Sequence, residues 1–389
     1  MRRRRALLRI ATGAPLGLAG FWQAGCNGGT PQGPVAPDGL DPGRAPTGPL
    51  DQAVAVPKVN GAINIHPLRC LGCPPLDDLI DDSLVALQLR AVYELGFDGI
   101  RITAPLGDPN SLLAAIPYVR VALSLGIDAL VVISDFGGGL TAAHALADGT
   151  RRAAILRTYS QLFAGTQLPL LPGLGGLGPL GTGRVAFQIL NEPVGFVGVP
   201  PATYVSEILA PCLAQLRAID DRIIVVAAAE TGNLTGPTRM RAMLEAGLER
   251  FCDRIAYHVY SRESVGMLPR DVRRTVWVTE SGASGTARHL PWVRDVFPEI
   301  LAHVTDATRI FYFDLFDLDR GGYRVLDIQA EPLGYRAVVE SGALHDYWSA
   351  RVLESAGGRP LVPFATLVPN VRAYYPTAAD VHALESAPF

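Results

Sequence analysis

Val185-Ala186-Phe187-Gln188-Ile189-Leu190-Asn191-Glu192-Pro193 is the stretch on which the reading of this chain turns. Its apolar run, bounded by Gly183 and Pro193, has the length and composition of a buried strand. The run ends in an Asn-Glu pair. A carboxylate at the tip of a buried strand costs free energy to desolvate, so its presence there needs a reason. For most lone glutamates a local salt bridge is reason enough. Here Thr275-Val276-Trp277-Val278-Thr279-Glu280 ends in the same way, followed by Ser281-Gly282. Two carboxylates on two strand ends of one sheet can divide acid/base and nucleophilic duties between them.

Outward from this stretch, strand and helix patterns alternate. Upstream, Val59 to Ile65 reads as a strand. Leu84, Leu87, Ala91 and Leu95 have helical spacing, with Gly96 at the C-cap position. Gly99 to Thr103 reads as a strand, Ser111 to Leu125 as a helix closed by Gly126, Ala129 to Ser134 as a strand, and Arg151 to Phe163 as a helix. Downstream, helices are predicted over Thr203 to Ala218, Arg239 to Leu248 and Leu290 to His303. Strands are predicted over Arg222 to Ala228, Ile255 to Tyr260, Thr275 to Thr279 and Arg309 to Phe313. About eight apolar strands with crossover helices imply a parallel sheet buried on both faces. At this length the α/β repeat fits a (β/α)8 TIM barrel better than an open doubly wound sheet. Glu192 then ends strand four and Glu280 strand seven, the end of the barrel where chemistry is placed. Period-two alternation puts His258 and Tyr260 on one face of strand six. On strand seven it groups Glu280 with Val278 and Val276, sending Trp277 outward against the helices.

The flanks read differently. Residues 1–26 combine the charged Arg2 to Arg5, an apolar Ala6 to Trp22 and a small-residue site ending in Cys26, the pattern of an export signal. Arg4-Arg5-Ala6-Leu7-Leu8-Arg9 resembles a twin-arginine signal. Ala24-Gly25-Cys26 resembles a lipoprotein box in which Cys26 carries the lipid, although Gln23 stands where an aliphatic residue is usual; a plain cleaved signal is the alternative. Residues 27–56 are rich in Gly, Pro and Ala and read as a linker. Residues 57–356 hold the barrel, and 357–389 form a Pro/Ala-rich C-terminal extension that either packs on it or trails from it.

Composition excludes several classes. A 49% hydrophobic and 18% charged chain has a substantial core, and a net charge of −3 gives no electrostatic footprint for nucleic acid. Membrane contact is expected only through the N-terminal lipid, and the chain is read as a monomer. Export implies an oxidising compartment, so Cys70 with Cys73, and Cys212 with Cys252, are read either as bridges or as ordinary thiols. Gly173 to Gly178 matches a dinucleotide fingerprint by letters, but it precedes a strand and runs into Pro179, the wrong context. The seven histidines show no metal-binding spacing on a helix, so no metal and no cofactor are expected.

Asn191-Glu192-Pro193 and its preceding strand resemble the acid/base signature of the cellulase family (glycoside hydrolase family 5). They also resemble that of the wider clan A of barrel glycosidases, whose catalytic glutamates lie on strands four and seven. The resemblance spans Val59 to Phe316. It implies a retaining glycoside hydrolase acting on β-linked oligo- or polysaccharide, with Glu192 as acid/base and Glu280 as nucleophile. By the same resemblance Arg101 would lie beside the nucleophile, Asn191 would bind the sugar 2-hydroxyl, His258 would lie near the acid/base and Tyr260 would touch the nucleophile. The residue-level alternatives are a solvent-facing Arg101, a turn-forming Asn191 and a structural His258. The last strand departs from the pattern. Phe311-Tyr312-Phe313-Asp314-Leu315-Phe316-Asp317 stands where many of these enzymes carry a Trp platform, leaving Phe313 or Phe316 as platform or as core. His66, Asp135 and Glu230, at other strand ends, could line the cleft. A glycan-binding protein on a decayed barrel, or a transglycosylase, are the competing functions.

The lipoprotein reading has a direct outcome. Cys26→Ser is expected to abolish metabolic palmitate labelling of the chain and move it from the membrane to the soluble fraction; unchanged labelling would rule the anchor out.

Overall fold

Eight parallel strands close into a barrel: β1 (Asn60–Asn64), β2 (Gly99–Pro105), β3 (Asp128–Ser134), β4 (Val185–Ile189), β5 (Ile224–Ala227), β6 (Arg254–Val259), β7 (Thr275–Ser281) and β8 (Ala307–Tyr312). Each pairs with the next in sequence, and β8 closes on β1 with Asn60 opposite Arg309 and Ile63 opposite Tyr312. The predicted (β/α)8 architecture is the one observed. This computed structural model describes residues 60–66, 82–94, 97–135, 140–164, 184–230, 235–284, 288–304, 307–315, 326–329, 334–337, 368 and 370–387. The signal, the linker, Cys26, Cys70, Cys73, the 173–178 glycine run and Phe316 lie outside them. So does most of 338–369. Among the described residues no helix is long and apolar enough to cross a membrane.

The helices α1 (Asp82–Glu94), α2 (Pro109–Ser124), α3 (Thr141–Ala147) and α4 (Gly149–Tyr159) precede β4. Longer helical stretches over 201–219 and 289–303, and Gly236–Glu245, follow it. α2 begins two residues before the predicted Ser111. The Asp108 carboxylate accepts the Asn110 and Ser111 N–H groups at 3.1 Å each, and Pro109 has no N–H to leave unpaired. It ends where predicted, at Gly126, whose φ of +81° suits glycine.

Alternation sorts the strand side chains into two layers. Ile63, Ile100, Ile102, Phe187, Ile189, Tyr257, Val276 and Val278 pack outward under the helices. Ala62, Leu130, Ala186, Val226, Ala256, Trp277 and Phe311 form a separate cluster inside the barrel. Trp277 therefore points inward, opposite to the sequence expectation. Tyr257 pairs with Val278 but the next residue, His258, pairs with Glu280, so β7 carries one extra residue at Thr279. The bulge resets the parity, and both Trp277 and Glu280 face in. Alanines at 62, 186 and 256 leave the volume the indole fills. Below it the Arg309 guanidinium lies 5.2 Å from the ring centroid and 2.9 Å from Asp128, which also pairs with Arg184 at 2.9 Å.

Cys212 and Cys252 are free thiols, each buried, and burial pushes both up to about 12. Neither is a ready nucleophile.

The end of the chain packs back on the barrel. Thr377 and Asp380 form a capping box for the helix Ala378–Glu385. Asp380 also meets the buried Arg120 of α2 at 2.9 Å, and Arg120 donates to the Tyr375 carbonyl at 3.2 Å. Arg372 and the Tyr375 hydroxyl both reach Asp82 at the start of α1. Removing one partner of a buried pair leaves the other charge uncompensated. Asp380→Ala is expected to cost about 3 kcal/mol of stability, measured by urea unfolding; a change near zero would show that Arg120 is satisfied without it.

Candidate active site

The upper half of the barrel interior is polar, and Arg101 organises it. Ile100 and Ile102 face outward, so the residue between them must face in, where it is 4% exposed. Its Nη1 lies 2.7 Å from Glu280 Oε1 and donates to Asn64 Oδ1 at 2.8 Å. Nη2 donates to Asn191 Oδ1 at 2.7 Å, and Nε to Gln188 Oε1 at 3.3 Å. Asn64 and Gln188 complete the layer: the Asn64 amide donates to the Thr279 and Tyr312 carbonyls, and that of Gln188 to Leu190 O at 3.0 Å. The sequence reading passed over both. The available signal was a polar residue at an inward position two along from an inward alanine, Ala62 or Ala186.

Glu280 is buried, with the Tyr260 hydroxyl donating to its Oε2 at 2.7 Å. Burial alone would raise this carboxyl. The charges of His258 and Arg101, with the hydrogen bonds from Tyr260 and Arg101, outweigh it and hold the group below the usual carboxylate range. His258 stands between the two glutamates. Its Nδ1 lies 2.8 Å from Glu192 Oε1, and its Nε2, which makes no hydrogen bond, lies 3.5 Å from Glu280 Oε1. One oxygen of each carboxylate and a His258 nitrogen all fall within 4.8 Å of one another. Among the described residues this is the one trio spaced to hold a metal ion. A cation there would meet the Arg101 guanidinium on the same carboxylate, which disfavours it.

Two consecutive residues, Asn191 and Glu192, both turn into the site, which a straight strand forbids. The backbone makes this possible by entering the left-handed region at Leu190 (φ 65°) and Glu192 (φ 46°), conformations that cost about 1–3 kcal/mol each in non-glycine residues. The surroundings hold the turn in place. Leu190 N–H donates to Ile133 O, and Phe196 N–H to Glu192 O, each at 2.9 Å. The Tyr204 hydroxyl ties Ile189 O of β4 to Ala228 N–H beyond β5. Glu230 accepts the N–H groups of Val194 and Gly195 at 2.7 Å each. Burial pushes Glu230 up to about 7; those two N–H groups and Arg239 pull it down, and Glu192 adds to the rise.

All six predicted site residues, Arg101, Asn191, Glu192, His258, Tyr260 and Glu280, are thus joined in one network. The looser candidates separate. His66 meets Asp314 at 3.3 Å, and Phe313 packs edge-on to both His66 and Tyr260 with ring centroids 5.9 Å apart, at the rim of the network. Gly282 makes room for this segment, since a Cβ there would collide with the Phe313 carbonyl. Asp135 instead accepts the Ala142 N–H at 2.8 Å and caps α3. Glu230 lies behind the Glu192 turn.

No protein-family model matches the chain, and no curated protein matches it in sequence. Solved structures resemble it in three-dimensional structure. The catalytic domain of GH30 xylanase C from Talaromyces cellulolyticus aligns over 76% of each chain with a TM-score of 0.51 at 10% identity. A GH39 β-xylosidase from Caulobacter crescentus aligns over 76% of this chain and 72% of its own, with a TM-score of 0.47 at 16% identity. Cel5A of Thermotoga maritima aligns over 77% and 96%, with a TM-score of 0.45 at 15% identity. The first of these likenesses establishes the shared (β/α)8 barrel fold.

Tyr260→Phe removes one of the hydrogen bonds that keep the Glu280 carboxyl low, and the carboxyl is expected to rise towards its ordinary value, read by NMR titration of the side-chain carbon. A depressed carboxyl gives stability that is present above its unfolded pKa and lost as pH falls through its folded pKa. The variant should therefore carry a smaller contribution and finish losing it at a higher pH than the wild type. Superimposable titrations would show that Tyr260 does not set the charge of Glu280.

Proposed function

We propose that this chain is a retaining O-glycoside hydrolase acting on β-linked oligo- or polysaccharide. Glu280 attacks the anomeric carbon while Glu192 protonates the departing oxygen; Glu192 then activates water to release the sugar from Glu280. The observation that carries this reading is the facing pair of carboxylates, with offered oxygens within 4.8 Å and only Glu280 paired with the Arg101 guanidinium. Retaining enzymes keep the two groups about 5–5.5 Å apart, whereas inverting ones need about 6.5–9.5 Å to admit a water between them.

The two glutamates differ in the way the roles require. Glu280 is deeper, paired with Arg101 and Tyr260 and kept ionised for attack. Glu192 is more open, its side chain 14% exposed, and bonded only to His258 among those groups. Asn191, fixed by Arg101, projects beside the acid/base, where a 2-hydroxyl contact strengthens in the transition state. The chemistry needs no metal or cofactor. An exported chain tethered through Cys26 would meet polymeric glycans outside the cell.

A second reading is a glycan-binding protein on a catalytically decayed barrel. Phe313, standing where many relatives of the resembled family carry Trp, favours it. Oligosaccharide binding by calorimetry with no turnover at long incubation would support this reading.

A panel of aryl β-glycosides, β-glucan and β-mannan should reveal a hydrolysed substrate. On it, Glu280→Gln is expected to lose activity by orders of magnitude while staying folded by circular dichroism. Glu192→Ala should lose activity on ordinary glycosides; activated aryl leaving groups, which need no proton, should restore the first step, and added azide, which needs no general base, the second. Full activity in both variants would overturn the assignment.

A further inference from the structure

Glu230 is a buried carboxylate to which the hydrolytic scheme gives no part. It follows β5 by three residues and is 1% exposed. Its two oxygens are divided between two successive amides, Oε1 accepting from Val194 and Oε2 from Gly195, each at 2.7 Å. These are the second and third residues after Glu192. The arrangement is built closely. A Cβ on Gly195 would lie 2.8 Å from Glu230 Oε2 and would collide with the Arg239 guanidinium, whose Nη1 is 3.9 Å from the same oxygen. Glycine at 195 is what lets carboxylate and cation close over the turn.

The turn so held is the one in which Glu192 sits at φ 46°. A non-glycine residue keeps such a conformation only where its surroundings over-determine it. Hydrogen bonds from N–H to a carboxylate are about twice as strong as neutral ones, and here two adjacent donors share one acceptor group. For Glu192 to relax to an ordinary strand or helical angle, residues 193–195 must move and both bonds must break.

We propose, resting on the hydrolase reading, that Glu230 is a positioning residue for Glu192: it clamps the Val194 and Gly195 amides and so fixes the left-handed turn that aims the acid/base at the leaving oxygen. It touches no substrate. Its effect belongs to the proton-transfer step, which separates it from a residue that merely supports the fold.

Glu230→Gln keeps the size of the side chain but leaves one acceptor oxygen for two donors; Glu230→Ala removes both. The variants are compared with wild type near pH 8, above the Glu230 value of about 7, so that the wild-type group is ionised. Amide exchange by mass spectrometry on the peptide spanning 191–197 is expected to speed up in both variants. Their kcat/KM, which reports the step in which Glu192 gives its proton, should fall up to about 10²-fold for alkyl or sugar leaving groups, the lower end of what general acid catalysis supplies. It should fall much less for dinitrophenyl glycosides, which need no proton. Because Glu230→Ala also opens a cavity, Glu230→Gln decides the matter if the alanine variant fails to fold. Unchanged exchange, or an equal kinetic loss for every leaving group, overturns the positioning role. Turnover by wild type that is lost in Glu280→Gln, with Glu230→Gln at wild-type rates throughout, overturns that role alone. Absence of turnover in the wild-type chain counts against the hydrolase reading, and the role falls with it.

Discussion

A guanidinium placed inside a β-barrel must be neutralised and fully hydrogen-bonded, and that requirement at Arg101 orders the rest of the site. An unpaired charge at such depth costs several kcal/mol. Arg101 meets the Glu280 carboxylate at 2.7 Å and accepting oxygens of Asn64, Asn191 and Gln188, so its partners come from β1, β4, β7 and the turn after β4. Those elements are distant in sequence and meet only when the barrel closes. The same contacts that satisfy the arginine hold Glu280 ionised and fix Asn191.

Two departures from regular strand geometry bring the glutamates face to face. The extra residue at Thr279 turns β7 so that Trp277 and Glu280 share the interior, three apart instead of two or four. The left-handed angles at Leu190 and Glu192 let successive side chains enter the same cavity. Each distortion is stabilised from outside its own strand. Asn64 donates to the Thr279 carbonyl on the bulge, and Glu230 takes the amides beyond Glu192. The barrel stores local strain where it places the two glutamates and offsets it with hydrogen bonds from neighbouring strand ends.

The elements of the fold were legible because each carries its own period. The eight predicted strands coincide with observed ones to within one or two residues at most ends, and α2 starts early only because Asp108 and Pro109 act before the apolar pattern begins. The glutamates, His258 and Tyr260 were legible because a charged or polar residue at the end of an apolar strand is conspicuous, and Arg101 because apolar residues flank it on both sides within one. Asn64 and Gln188 were not, since an uncharged amide inside a strand signals nothing until its partner is known. Trp277 was misplaced because alternation assumes an unbroken register, and nothing in Val278-Thr279-Glu280 announces a bulge. Asp135 and Glu230 looked alike as strand-end acids; only their partners, an α3 amide for one and the Glu192 turn for the other, tell them apart.

By itself, then, the order of residues determined the repeating strand-and-helix pattern, the barrel it closes into and the two strands that end in glutamates, because apolar periodicity and chain length are local properties. Tertiary structure alone decided the distance between those carboxylates, what keeps Glu280 ionised, and which buried polar groups support them. Those quantities depend on contacts between segments tens to hundreds of residues apart, and they acquire values only when β1 meets β8.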